Sequence, residues 1–545
     1  MHNFFFLLGL AFLMSGNIAT AKSDPMQEYY INGEFQFSAR FNNKGVDGEV
    51  PRDFTAYLWI PPTSKKLRGV ILTHQNVGEQ IFIEHPAIRR ACAENDLAIV
   101  WCYPAIDLRF ELNRETAVTL QENVLKELSE VSGYEELEQV PWVTFGHSTT
   151  VTFARNLAEA RPNRIIAVIM AKGGIFIPAP EHYSGPIIFS AGQYPEWRQP
   201  THDWNTHGMS LGGIKKIRDA QAAGIRPLSY IEEYGGGHFD YSEKYLNFLA
   251  LYIDKAVKHR VNADGSLRKV SPNEGYVVEM QYPLPQPPLK VARLTEASGD
   301  MRYAPWFFDR EIAEAAAALM GSEDWNRKNQ IVAFANLDGT PATFARNGIA
   351  DPVPYELDED GVTVKRIETT FLEHLPDNFV QAGTKLTHAN CGARTIERIS
   401  GVFTAENGKH RIKLNRGYPL TPNFIAVRHA GDTEHRPTIQ PGRFVLRKHE
   451  GREQTITFSA IEKPQNGGNN INLRATSSAG LKVEFFVRSG PAKIVGNQLV
   501  VLPLPPRTKL PVEISVVAWQ LGRGGSDPVS AAPTIEQSFY LYPDP

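Results

Sequence analysis

From about residue 28 to residue 260 the chain alternates short apolar runs with longer stretches in which apolar positions recur every three or four residues. The short runs, "YYINGEFQFSA", "FTAYLWI", "GVILTHQ", "LAIVWCYP", "WVTFG", "IIAVIMA", "PIIFSAG" and "LSYIEEY", have the length and the β-branched and aromatic content of strands. Between them "PAIRRACAEN", "RETAVTLQENVLKELSEV", "TVTFARNLAEARP", "IKKIRDAQAAG" and "SEKYLNFLALYIDKAVKHR" read as amphipathic helices. No helical pattern separates the first two runs, which predicts an antiparallel pair. After them strand and helix alternate, the pattern of a mainly parallel sheet of eight strands covered by helices.

The pattern then changes. Residues 263–325 hold the proline-rich "YPLPQPPLK", which cannot continue a helix, and a short helical piece, "FFDREIAEAAAALMG". We read this span as an extended connector with one helix. Over 326–452 strand-like segments such as "NQIVAFAN", "RISGVFTA", "HRIKLN" and "FIAVRHA" predict a β-rich middle domain. From 453 to 545, "TITFSAI", "NINLRATS", "KVEFFVRSG", "QLVVLPL", "VEISVVAW" and "QSFYLYP" alternate apolar and polar residues between Gly, Pro and Asn turns, which predicts a small antiparallel sandwich.

Length adds that one core is too few, since single cores rarely exceed about 250–300 residues. The formal net charge of -3 and the absence of like-charge runs exclude a nucleic-acid or anionic-membrane footprint and leave small or neutral partners. The N-terminus has an apolar run from Phe4 to Met14 followed by Ala19-Thr20-Ala21, the pattern of a secretory signal peptide over residues 1–21, with the catalytic region expected over 24–262. That run is too short to span a bilayer, and no later segment is apolar enough to do so. A secreted or periplasmic protein is the expectation. Of the three cysteines, Cys92 and Cys102 are open to one bridge or to two buried free thiols, and Cys391 stands apart.

The chemistry is carried by "VPWVTFGHSTTVTFARNLAEA", residues 140–160. Ser148 at a strand-to-helix junction is open to two readings, a helix N-cap or a nucleophile on a tight elbow whose helix N-terminus faces a reacting carbonyl. A serine hydroxyl needs an imidazole to take its proton and a carboxylate to orient that imidazole. The eighth strand ends in "GGGHFD", which places His238 on a glycine loop ahead of the last helix. After the seventh strand comes "QYPEWRQPTHDW", where Glu196 is the first carboxylate and Asp203 the alternative. The loop "HQNVGEQ" after the third strand offers backbone N–H donors at Gln75 and Asn76 for an oxyanion, to act with the N–H of Thr149.

The order Ser148, then Glu196 or Asp203, then His238, each after its own strand, resembles the α/β-hydrolase superfamily over residues 28–260. Thr150 departs from the family's G-x-S-x-G, standing where the second glycine falls. The resemblance implies Ser148 as nucleophile, His238 as base, Glu196 as acid, and Asn76 with Thr149 as oxyanion donors. The run "SSAGLKVEFFVRSGPAKIVGNQLVV" resembles bacterial immunoglobulin-like modules, and the whole arrangement resembles secreted carbohydrate esterases and dienelactone-hydrolase-like proteins. The implied substrate is a carbohydrate-linked ester, with no cofactor. His202, Asp203 and His207 could ligate a metal but match no recognisable metal-site spacing, so no metal is expected. A peptidase or amidase on the same fold, or an inert glycan-binding protein, are the rivals.

Overall fold

The computed structural model describes residues 34–43, 52–106, 113–192, 211–233, 237–239, 241–279, 289–321, 327–343, 349–377, 382–406, 408–416, 423–446, 449–462 and 470–542. The expected signal segment and the loop carrying Glu196 and Asp203 lie outside the described residues.

The apolar runs form one sheet of eight strands. In chain order these are β1 (Phe37–Asn43), β2 (Arg52–Trp59), β3 (Gly69–His74), β4 (Leu97–Tyr103), β5 (Trp142–His147), β6 (Ile165–Ala171), β7 (Ile187–Gly192) and β8 (Leu228–Glu233). Their order across the sheet is β1-β2-β4-β3-β5-β6-β7-β8. β1 and β2 pair antiparallel and β2 meets β4 antiparallel, while every pairing from β4 onward is parallel. Every residue of β3 to β8 is buried, as expected of a parallel sheet covered on both faces.

The helices are α1 (Gly78–Glu84), α2 (Pro86–Glu94), α3 (Arg114–Ser132), α4 (Val151–Ala160), α5 (Leu211–Gln221), α6 (Glu243–Arg260) and α7 (Arg310–Met320). Their ends are chemically marked. Asn113 accepts the Thr116 N–H at 2.9 Å to cap α3, which stops at Gly133 with φ 81°. Ser242 caps α6 by accepting the Tyr245 N–H at 3.1 Å, which fixes where the glycine loop of His238 must end.

The described parts of the span read as a connector, 263–279 and 289–321, are packed. Its strands Tyr276–Glu279, Lys290–Arg293 and Trp306–Phe307 form a three-stranded sheet beside β8. Trp306 is fully buried and donates its indole N–H to the Pro272 carbonyl at 2.9 Å, and Tyr230 of β8 donates its hydroxyl to the Tyr303 carbonyl at 2.9 Å. The proline-rich stretch lies almost wholly outside the described residues, and such composition carries no information about whether the flanking chain packs. α7 adds Ile312, Ala313 and Ala316 to the same core.

That core runs on without a break into the β-rich middle region, taking in Phe334, Val402, Phe403, Ile425 and Phe444. The end of the chain builds a separate core around Ile456, Phe458, Val483, Phe485, Ile514 and Phe539. It is wrapped by three small antiparallel sheets, which include a strand at Ala492–Val495 that the polar–apolar pattern did not reveal. Cys92 and Cys102 are buried free thiols and Cys391 is an exposed one. No helix among the described residues is long and apolar enough to cross a membrane.

Candidate active site

Ser148 follows β5 directly and has φ 58°. A helix N-cap takes an extended conformation, so this left-handed backbone removes the cap reading. A non-glycine residue held there costs on the order of 1–3 kcal/mol and persists only where its surroundings enforce it. Those surroundings are specific. A Cβ on Gly146 would lie 2.4 Å from the Thr150 carbonyl oxygen, so the turn closes only over glycine. A Cβ on Gly173, after β6, would meet the Ser148 carbonyl oxygen at 2.6 Å. The close approach that a second elbow glycine would give is thus supplied from the neighbouring strand.

Thr150 is a tie rather than an intrusion. It is fully buried, its hydroxyl lies 2.5 Å from Glu79 Oε1 and 2.8 Å from the His147 carbonyl, and it accepts the His147 N–H at 2.7 Å. Glu79, on the first turn of α1, also accepts the N–H of His147 at 3.1 Å and that of Asn76 at 2.8 Å. Burial pushes its carboxyl up to about 7, against the hydrogen bonds from Thr150, Asn76 and His147 that favour the charged form. One carboxylate under the elbow therefore joins the β5 turn to the loop after β3. Nothing in the sequence "HQNVGEQ" singles out Glu79. A carboxylate one residue past a glycine is a common surface pattern, and only its burial marks it.

His238 is 5% exposed, and its Nε2 lies 2.7 Å from Ser148 Oγ. This is hydrogen-bonding distance for proton transfer. Its loop is held at two consecutive carbonyls. His147 donates Nε2–H to the His238 carbonyl at 2.7 Å while its Nδ1 accepts the Gly78 N–H at 3.3 Å. Burial first, then the neighbouring His238, keeps the His147 imidazole neutral, which this donor–acceptor pattern requires. The preceding carbonyl, of Gly237, accepts from Lys172 Nζ at 2.6 Å. Lys172 is itself paired at 2.5 Å with Glu233 Oε2, both side chains being buried, and Glu233 accepts the Ser242 N–H at 2.6 Å. The last residue of β5 and the first residue past β6 thus each send one buried side chain to the base loop.

The oxyanion donors divide. Thr149 is the second residue of the 3-10 turn Ser148–Thr150, where the first N–H groups of a helical segment have no intrahelical acceptor. It remains a fitting donor. Asn76 is corrected: its N–H donates to Glu79 and that of Gln75 to the Cys102 carbonyl at 2.9 Å, so neither backbone donor faces a substrate. The Asn76 side-chain amide instead donates to the His147 carbonyl at 3.1 Å and to Thr149 Oγ1 at 3.3 Å, bracing the turn. Among the described residues no group of three His, Cys, Asp or Glu side chains could hold a metal ion.

The strand order, the elbow after β5 and the histidine after β8 give residues 34–260 the α/β-hydrolase fold. No family model matches the chain, and no curated protein does. Among solved structures it is similar to a thermostable esterase, at 13% identity over 41% of this chain and 62% of that one, TM-score 0.30. It is also similar to EstE1, a thermophilic carboxylesterase from a metagenomic library, at 14% identity over 42% of this chain and 92% of that one, TM-score 0.28. The siderophore hydrolase EstA from Aspergillus nidulans matches at 14% identity over 40% of this chain and 94% of that one, TM-score 0.29.

Proposed function

We propose that this chain is a secreted or periplasmic serine hydrolase that cleaves carboxylic esters, with substituents of polysaccharides (acetyl, methyl-uronate or feruloyl groups) as its substrate class. The observation that carries this reading is the 2.7 Å contact between His238 Nε2 and the oxygen of a serine held at φ 58°. In the reaction Ser148 Oγ attacks the ester carbonyl as His238 takes its proton, and the N–H of Thr149 faces the oxygen on which charge develops. His238 then protonates the departing alcohol. A water, deprotonated by the same imidazole, releases the acid from the acyl-serine. Glu196, or Asp203 in its place, orients the imidazole from the loop after β7. No metal or cofactor enters these steps.

The signal-peptide pattern in residues 1–21 and the sequence resemblance of residues 453–545 to immunoglobulin-like modules are what support an extracellular carbohydrate setting. Esters of acetate, methyl glucuronate and ferulate on polysaccharide, assayed beside peptide substrates, test the substrate class. Ser148→Ala should lower ester turnover by several orders of magnitude and abolish labelling by a fluorophosphonate. Parent-like turnover in that variant would remove the reading.

A further inference from the structure

The middle β-rich region has a place at the site. Its sheet of strands Thr395–Ser400, Asn423–His429 and Thr438–Phe444 lies against both loops that meet at Ser148. Phe424 stacks on Phe239, the residue after His238, with ring centroids 5.1 Å apart and planes 13° from parallel. Phe239 in turn sets its ring edge-on to the His238 imidazole at 4.5 Å. Arg428 donates to the Tyr241 carbonyl at 2.8 Å, holding the far end of the same loop.

The other loop is gripped in the same way. Val77, the residue after Asn76, is buried in one cluster with Ile399, Ala426 and Ile439 of this sheet. The Gly401 N–H donates to Gln80 Oε1 at 2.9 Å, and Arg398 pairs with Glu84 at 2.7 Å, both partners lying on α1 beside Glu79. Two loops far apart in sequence are thus contacted from outside by a single sheet.

We infer that the sheet spanning 395–444 is a buttress of the catalytic loops, with Phe424 and Arg428 as positioning residues for His238. Burial against α1 alone would stabilise the chain without touching the base loop. The ring stack and the Arg428 bond act on the segment that carries the imidazole. A base displaced by about 1 Å loses up to about a hundredfold in rate, so the buttress should be visible in turnover before it is visible in substrate affinity.

The inference rests on the serine-hydrolase reading for its kinetic test, and a second readout is independent of chemistry. In the full-length protein, Phe424→Ala is compared with Phe424→Leu, Arg428→Met and Phe458→Ala, the last a similar truncation in the separate C-terminal core. With p-nitrophenyl acetate well below the melting temperature, Phe424→Ala should lower kcat and the fluorophosphonate labelling rate at least tenfold with KM within twofold. Arg428→Met should lower kcat in the same sense, Phe424→Leu should recover most of the loss, and Phe458→Ala should lower Tm and leave kcat unchanged. Amide hydrogen exchange over 237–245 should quicken in Phe424→Ala and not in Phe458→Ala. Parent-like kcat or exchange in Phe424→Ala, or an equal kcat loss in Phe458→Ala, overturns the buttress. An active Ser148→Ala protein alongside quickened loop exchange would instead overturn the hydrolase reading and leave the buttress standing.

Discussion

Replacing Thr150 with Val isolates the tie beneath the elbow. The two side chains have nearly the same volume, so the change opens no cavity and removes one hydroxyl. That hydroxyl lies 2.5 Å from the Glu79 carboxylate, which keeps the His147 and Asn76 N–H groups as donors in the variant. A hydrogen bond to a charged group contributes about 1.5–3 kcal/mol, and a neutral one about 0.5–1.5 kcal/mol. Glu79 ionises near pH 7 in the folded chain and well below that when unfolded. Because its folded value is raised, the parent loses stability as pH rises from about 4.5 to 7, and the Thr150 bond limits that loss. The cost of Thr150→Val should therefore be largest above pH 7 and smaller below it. At pH 8.5 the thermal midpoint should fall by roughly 3–12 °C, taking about 2–4 °C per kcal/mol for a domain of this size. At pH 5.5 the drop should be about half as large, and Thr150→Ser should restore the midpoint at both. Scanning calorimetry of the three proteins at the two pH values decides the matter. Equal drops at both pH values, or a Thr150→Ser protein as damaged as Thr150→Val, would refute the charged tie.

Lys172→Met should strand the buried Glu233 and cost about 3–5 kcal/mol; adding Glu233→Leu should recover much of the stability and not the ester turnover, since the Lys172 bond to the Gly237 carbonyl is not restored, as paired melting and kinetic measurements would show. Arg416 is buried between Glu34 at 2.9 Å and Glu84 at 3.3 Å, so Arg416→Met should lower Tm at pH 8, read by circular dichroism. Burial pushes the Cys92 thiol up to about 12 and that of Cys102 higher still, so a thiol reagent at pH 8 should modify Cys391 alone in the native protein and all three cysteines in denaturant.

The sheet was legible because a buried parallel strand needs an unbroken apolar run and each run here is bounded by turn residues. Ser148 and His238 were legible for a related reason: Ser148 directly follows β5 and His238 lies on the loop that leaves β8, where position in sequence fixes position at the sheet's rim. Asn76 was misread because the same positional logic cannot tell a free N–H from one already satisfied by a carboxylate three residues on. Thr150 looked like a departure from the elbow pattern for want of its partner, which lies 71 residues earlier. The stack of Phe424 on Phe239 left no local trace, since an apolar residue in an alternating strand reads as core whatever it packs against.

β8 is the last strand of the large sheet, and the strand Trp306–Phe307 and helix α7 lie against it, with Trp306 buried. A chain emerging from the ribosome completes all eight strands well before that cover is made. In the interval an open rim of N–H and C=O groups faces outward, a template for pairing with a second nascent chain. Protein truncated at residue 262 should consequently be recovered as aggregate, and one ending at 321 should have that rim closed.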